Sequence, residues 1–167
     1  YLDSGLSLNS PVTVSGVTKA NPGVITATGH GFSDGDLVDL TDIVGMTELN
    51  GLRGVVIEKT TNTFEIMAEG NLPVSAVTRA NPGLVTAVAH GLSTGNEVGF
   101  LEVGGMVELN GNGYTITKVS DDTFTIGVNS SGYTAYTSGG KVYLNTNTSA
   151  FTTYSSGGKA RKAVASL

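Results

Sequence analysis

Val17-Thr18-Lys19-Ala20-Asn21-Pro22-Gly23 returns sixty residues later as Val77-Thr78-Arg79-Ala80-Asn81-Pro82-Gly83. The match continues without a gap to Ile66 and Ile126. His30-Gly31 faces His90-Gly91, and Gly45-Met46-Thr47-Glu48-Leu49-Asn50-Gly51 faces Gly105-Met106-Val107-Glu108-Leu109-Asn110-Gly111. Thr63-Phe64-Glu65-Ile66 faces Thr123-Phe124-Thr125-Ile126, and 22 of the 50 positions between Val17 and Ile66 are identical. Self-similarity at a fixed period marks a chain built from copies of one unit. A length of 167 residues would by itself suggest one domain; the repeat makes it two.

Each copy reads as β-structure. Val17–Ala20 and Val24–Ala27 are short β-prone runs separated by Asn-Pro-Gly. Here Pro would set the first central torsion of a type II turn and Gly would supply the positive φ of the second. Gly113–Val119 alternates with period two, and Ser120-Asp121-Asp122 then leads into Thr123–Ile126. Apolar residues nowhere hold helical spacing over three turns, and Met46–Leu49 offers one turn at most. The expected fold is all-β: two tandem small barrel or sandwich modules, with N- and C-terminal strands forming a shared frame. The expected interiors are Phe32, Leu37, Val38, Leu40, Met46, Leu49, Phe64 and Ile66 in the first copy. In the second they are Leu92, Val98, Phe100, Met106, Leu109, Tyr114, Ile116, Phe124 and Ile126.

The boundaries follow from the repeat. Residues 1–13 read as an N-terminal strand of a host domain, 14–73 as the first module and 74–140 as the second. Residues 141–167 read as strands returning to the host. Tyr154-Ser155-Ser156-Gly157-Gly158-Lys159 nearly repeats Tyr136-Thr137-Ser138-Gly139-Gly140-Lys141 at an offset of 18, as a strand ending in a Gly-Gly turn used twice. The chain opens on Tyr1 rather than Met, which suggests a fragment or a processed product.

Composition excludes several classes. The formal charge is −5, with 9 Lys+Arg against 14 Asp+Glu, which disfavours a nucleic-acid partner whose phosphates want a basic surface. With no Cys there is no disulfide, no thiolate metal site and no thiol nucleophile. At 39% hydrophobic residues the chain is not a disordered tail. No apolar run approaches the roughly 20 residues that span a bilayer, so membrane insertion is not expected.

Few residues suggest chemistry. His30 and His90 could serve as base, metal ligand or pH switch, but one imidazole per copy with no neighbouring ligand reads better as a turn histidine bonded to backbone. Asp34, Asp36, Asp39 and Asp42 lack EF-hand spacing and mostly vanish from the second copy, so they read as a solvated strand edge. Glu48 and Glu108 lack the partner an acid/base pair needs and are expected to bond the following turn. Asn129-Ser130-Ser131 and Asn147-Thr148-Ser149 match the glycosylation sequon. Lys159, Arg161 and Lys162 form a small basic cluster near the end. No catalytic residue, metal site or cofactor is expected.

The module Val-Thr-x-Ala-Asn-Pro-Gly-x-(Ile/Val)-Thr-Ala, His-Gly-(Phe/Leu)-Ser-x-Gly, Gly-Met-x-Glu-Leu-Asn-Gly and Thr-Phe-x-Ile resembles FCCH-like repeats of tailed-bacteriophage virion proteins. Those repeats are named after a small β-barrel in ubiquitin-activating enzymes. The resemblance covers about 50 residues of each copy plus Gly132–Gly140. It implies no ubiquitin chemistry, which belongs to a cysteine outside the barrel. Tyr1–Ser7 and Lys159–Val164 resemble phage tail segments that such modules interrupt. The resemblance therefore implies a non-enzymatic structural or interaction module on a tail or virion protein. That protein would be made in the host cytoplasm and assembled with other virion subunits into a homo-oligomeric tail, contacting neighbours or the host envelope. The alternative is a carbohydrate-binding adhesin recognising host polysaccharide, with Tyr114, Tyr133, Tyr136 and Tyr143 as stacking platforms. Asn21, Pro22, Gly23, His30, Gly31, Asn50 and Gly51, with Asn81, Pro82, Gly83, His90, Gly91, Asn110 and Gly111, form the structural repeat signature.

Overall fold

The computed structural model describes residues 10–68 and 72–163. The first copy contains β1 (Val12–Thr13), β2 (Gly16–Val17), β3 (Val24–Thr26), β4 (Leu37–Val44), β5 (Arg53–Ile57) and β6 (Thr63–Ala68). The second contains β7 (Leu72–Pro73), β8 (Ala76–Val77), β9 (Leu84–Thr86), β10 (Glu97–Gly104), β11 (Gly113–Thr115), β12 (Thr117–Lys118) and β13 (Thr123–Thr125). Two longer strands follow, β14 (Ser138–Leu144) and β15 (Ser156–Lys162). Short 3₁₀ turns at Thr47–Leu49 and Val107–Leu109 are the helical elements of the described residues. The protein is all-β.

The last two strands pair with different modules. β14 runs antiparallel to β10, from Val98↔Leu144 to Gly104↔Ser138. β15 runs antiparallel to β4, from Val38↔Lys162 to Val44↔Ser156. One compact unit therefore joins residues 10–68 with 146–163, and the other spans 72–145. The modules are nested: the second lies within the chain of the first, and their closing strands come in reverse order. The boundary read from sequence, with 141–167 leaving for a host domain, is corrected by this pairing. Lys141–Leu144 complete the second module, and Thr146–Ala163 complete the first. The reason is physical, since β4 and β10 each have a free side once β5 and β11 are placed, and a buried backbone must be paired.

Each ladder closes on itself. In the first unit, β1 pairs with β15 (Val12↔Ala160, Thr13↔Lys159), while β2 pairs with β3 (Gly16↔Thr26, Val17↔Ile25). The run Val12–Val17 thus bridges both ends of the order β15-β4-β5-β6-β3. At the crossing, the Val14 N–H donates to the Gly158 carbonyl and the Ser15 N–H to the Thr26 carbonyl, both at 2.9 Å. The second unit repeats this: β7 pairs with β14 and β8 with β9, while β11 and β12 pair with β10 and β13 on either side of Ile116. Both are small barrels of antiparallel strands. Closure removes the exposed edges that invite aggregation.

The interiors follow from strand alternation. Ile25, Val38, Leu40, Met46, Leu49, Val56, Phe64 and Ile66 fill the first barrel, with Val14 and Ala160 from its two chain ends. Val85, Val98, Phe100, Met106, Leu109, Ile116, Phe124 and Ile126 fill the second, with Val142 from its closing strand. The predicted cores match this, except that Leu37 is only half-buried.

Two turns differ from expectation. Asn21-Pro22 and Asn81-Pro82 are cis, and the glycine that follows each lacks the positive φ that a type II turn needs, so the type II reading does not hold. Gly23 and Gly83 do not have positive φ; they are needed for close approach instead. A Cβ on Gly23 would lie 2.4 Å from the Thr148 hydroxyl oxygen, and one on Gly83 2.6 Å from that of Ser130. The Gly-Gly pairs 139–140 and 157–158 do not end strands; they lie inside β14 and β15 with positive φ. Opposite them, Asp42 and Glu102 both have φ of 61°, kinking β4 and β10 at the same place.

Candidate functional site

The residues that recur in both modules converge on the closing segment. Ser130 and Thr148, at the same place in the 18-residue offset, are both buried. The Ser130 hydroxyl donates to the Thr78 carbonyl (2.7 Å) while the Ala80 N–H donates to it (3.1 Å). Thr148 does the same with Thr18 (2.6 Å) and Ala20 (3.1 Å). Each hydroxyl therefore pins its closing segment to the strand before Asn-Pro-Gly. Next to them, Asn129 and Asn147 accept from the backbone and hydroxyl of Ser131 and Ser149, which turns the chain locally. The two sequon matches are thus turn-and-clasp units of the fold.

Glu48 and Glu108 bind this same segment rather than the following turn. Thr152 donates its N–H (2.8 Å) and hydroxyl (3.0 Å) to Glu48 Oε2. Thr134 donates likewise to Glu108 at 2.9 and 3.0 Å. The N–H bonds, first of all, hold both carboxyls below the usual glutamate range. A carboxylate with a depressed pKa in the folded state contributes stability above the unfolded value, roughly 4.3, and loses it as pH falls through the folded value. Acid titration followed by circular dichroism is therefore expected to show stability falling below about pH 4.5. In Glu48→Gln combined with Glu108→Gln that fall is expected to be shallower; an unchanged acid limb would contradict the assignment.

The following turn is held by Asn50 and Asn110. The Asn50 side chain accepts from the Ile43 N–H (2.8 Å) and donates to the Ile43 carbonyl (2.9 Å). Asn110 does the same with Val103 at 2.8 and 3.0 Å. Gly51 and Gly111 then take φ of 85° and 80°, open to glycine without strain. Asn50→Ala leaves two backbone groups unpaired and is expected to cost the first barrel about 2 kcal/mol, read by urea unfolding.

His30 and His90 are 6% and 4% exposed. The Phe32 N–H donates to His30 Nδ1 at 2.9 Å, and Nε2 faces the Thr63 carbonyl at 3.2 Å. In the second module the Leu92 N–H donates to Nδ1 at 2.9 Å, and Nε2 faces the Ser120 carbonyl at 2.9 Å. Both ring nitrogens are committed to backbone, in the arrangement of the Nε2–H tautomer. The rings also meet Phe64 and Phe124 edge-on at 5.2 Å. A depression of about 320 Å³ lies beside His30, lined by Gly29–Ser33 and Lys59–Thr61.

The four aspartates do not converge. Asp34 accepts from the Lys59 N–H, and burial raises its pKa. Asp36 accepts from the Ser33 N–H and faces the Lys162 ammonium at 3.3 Å. Asp39 holds Arg53 bidentately at 2.7 and 2.9 Å, which keeps its carboxyl below the usual range. The edge-strand reading is corrected here, because β4 lies between β5 and β15. Among the described residues no group of three or more His, Cys, Asp or Glu could hold a metal ion.

Of the four candidate tyrosines, two are buried and two are partly exposed. Tyr114 is 9% exposed and meets Phe100 edge-on at 5.7 Å, and Tyr143 is 7% exposed, with burial raising its phenol pKa. Tyr133 and Tyr136 are half-buried against the core. The Tyr136 hydroxyl donates to the Gly139 carbonyl (2.7 Å) and to that of Val74 (3.2 Å). Tyr154 does the same with Gly157 and Val14. Sequence reading missed Ser130, Thr148, Thr134, Thr152 and Tyr154; the 18-residue offset was the signal that could have found them.

All-β barrels whose recurring His, Glu and Asn side chains bond their own turns and closing segments define a small structural module, present twice. The chain belongs to the family of the ubiquitin-activating enzyme E1 FCCH domain, whose family model matches residues 20–72 and 80–145. The second match includes a closing segment and the first does not, as nesting requires. The chain is similar to ubiquitin-like modifier-activating enzyme 1 of Homo sapiens, 47% identical over 73 residues, covering 41% of this chain and 7% of that protein. The same enzyme of Oryctolagus cuniculus is 50% identical over 48 residues, covering 27% and 4%. Ubiquitin-like modifier-activating enzyme 6 of Homo sapiens is 44% identical over 57 residues, covering 32% and 5%. The likeness thus spans only a small part of each relative's length.

Proposed function

We propose that the chain is a non-catalytic structural and interaction module of a phage tail or virion protein. Its task there is to contact neighbouring subunits or the host envelope. The observation that carries this reading is the use made of three recurring pairs of polar side chains. His30 and His90, Glu48 and Glu108, Asn50 and Asn110 all bond the chain itself, at the same positions in both barrels. A catalytic group needs an acid, base or nucleophile beside it, and these side chains are bonded to backbone groups and threonine hydroxyls instead. The virion setting rests on the resemblance of the repeated motifs. An insertion into a larger protein also suits the pairing of Val12–Thr13 with Lys159–Ala160, which brings entering and leaving strands side by side.

Immunogold labelling of intact virions with antibody to this chain is expected to decorate the tail, and unlabelled particles would overturn the virion setting. The isolated chain is expected to turn over neither host polysaccharide nor, with ATP and ubiquitin, release pyrophosphate; turnover in either assay would overturn the non-catalytic reading.

A further inference from the structure

We infer that the two barrels stabilise one another through chain connectivity, so that opening either one weakens the other by the same factor. The junction shows why. In the second barrel Gly83 donates to the Val128 carbonyl, and in the first Gly23 donates to the Thr146 carbonyl, so Val128 and Thr146 are counterparts. Ile126 and Val128 are separated by one residue, Gly127, with φ of 72°. Their counterparts Ile66 and Thr146 are separated by the entire second barrel, yet the Thr146 N–H still reaches the Ile66 carbonyl at 3.0 Å. The forward offset of 60 and the backward offset of 18 together equal the length of residues 68–145. A whole module thus stands where its sibling has a single glycine.

Such an insertion serves the first barrel only while its ends are held together. Folded, they are: Leu72 pairs with Val142 and Pro73 with Lys141, and the Asn145 N–H donates to the Glu97 carbonyl at 2.8 Å. Unfolded, the same segment becomes a long flexible loop between β6 and β15. Closing such a loop costs entropy that grows as the logarithm of its length, so the equilibrium constant falls as the three-halves power, several hundred-fold at roughly 80 residues. The coupling is reciprocal by linkage: a closed first barrel pins the ends of an unfolded second one and so disfavours its unfolding. Two modules strung in tandem would show no such factor, because neither would close over the other.

The test uses the full chain and hydrogen exchange under native conditions. Gly158→Val opens the first barrel, since Gly158 has φ of +116° and an added Cβ would lie 2.7 Å from Ile43 Cγ1. Gly140→Val opens the second, with φ of +105° and a Cβ 2.9 Å from Val103 Cγ2. Amides of Val85, Phe100 and Phe124 in Gly158→Val, and of Ile25, Leu40 and Phe64 in Gly140→Val, are expected to lose protection by the same factor, roughly several hundred-fold. Gly45→Val and Gly105→Val, where an added Cβ would lie 2.3 and 2.2 Å from backbone carbonyls, provide a second route to each opened barrel. Unchanged protection in the partner barrel would overturn the inference, as would complete loss, which would make the chain one cooperative unit.

Discussion

Ending the chain at Asn145 is expected to abolish the first barrel and leave the second folded. The truncation removes β15, and with it six registered pairs along β4 from Val38↔Lys162 to Val44↔Ser156. It also removes Ala160 from the core, Phe151 and Tyr154 packed against it, and the Thr148 and Thr152 clasps. Among the described residues, β1 loses its one strand partner. A unit this small has marginal stability, so losing a wall of the barrel exceeds its reserve. Nuclear magnetic resonance spectra would show dispersed amides from residues 72–145 and collapsed ones from 10–68. If the first sixty residues stayed dispersed, or if the second module collapsed outright, nesting would not describe how this chain holds together. A chain cut instead by the boundary read from sequence, after Gly140, should damage both barrels, because Lys141–Leu144 belong to the second.

Phe64→Ala and Phe124→Ala carry the second largest expected effect. Both rings are fully buried, each at the centre of its own core, with a histidine ring edge-on beside it. Removing a buried Phe costs about 3–5 kcal/mol, the sum of lost transfer energy and the cavity left behind. In barrels of this size that is a large share of total stability. Urea unfolding monitored by amide resonances is expected to shift the midpoint of the mutated barrel far more than that of its partner. Equal shifts in both would mean a single cooperative unit.

Much of the fold was legible in the chain. Repetition exposed two modules because the same buried positions, Phe64 with Phe124 and Leu49 with Leu109, must be refilled whenever the unit is rebuilt. Glycines recurring at 51 and 111 marked turns because only glycine enters positive φ freely. Other features were hidden for physical reasons. An X-Pro bond carries a weak trans preference, so Asn21-Pro22 and Asn81-Pro82 gave no sign of being cis. Tyrosines have an apolar body and a polar tip, so composition could not say whether Tyr114 and Tyr136 were platforms or packing. The carboxylates of Glu48 and Glu108 found their partners at Thr152 and Thr134, at sequence separations of 104 and 26. No local pattern could have linked the first of these.

The all-β class, the two modules and their interiors can be read from the chain, because they rest on repeat period, hydrophobic alternation and recurring glycines that are local; the family was carried by the resemblance of the repeated motifs. Only the tertiary structure decided which closing strand serves which barrel. The segments at 138–144 and 156–162 are near copies, and either one has the glycines and the inward small or apolar residue to lie against β4 or β10. Local preference cannot choose between equivalent partners. The choice falls to connectivity: the nearer segment closes the second barrel over a one-residue junction, and the other is left to complete the first.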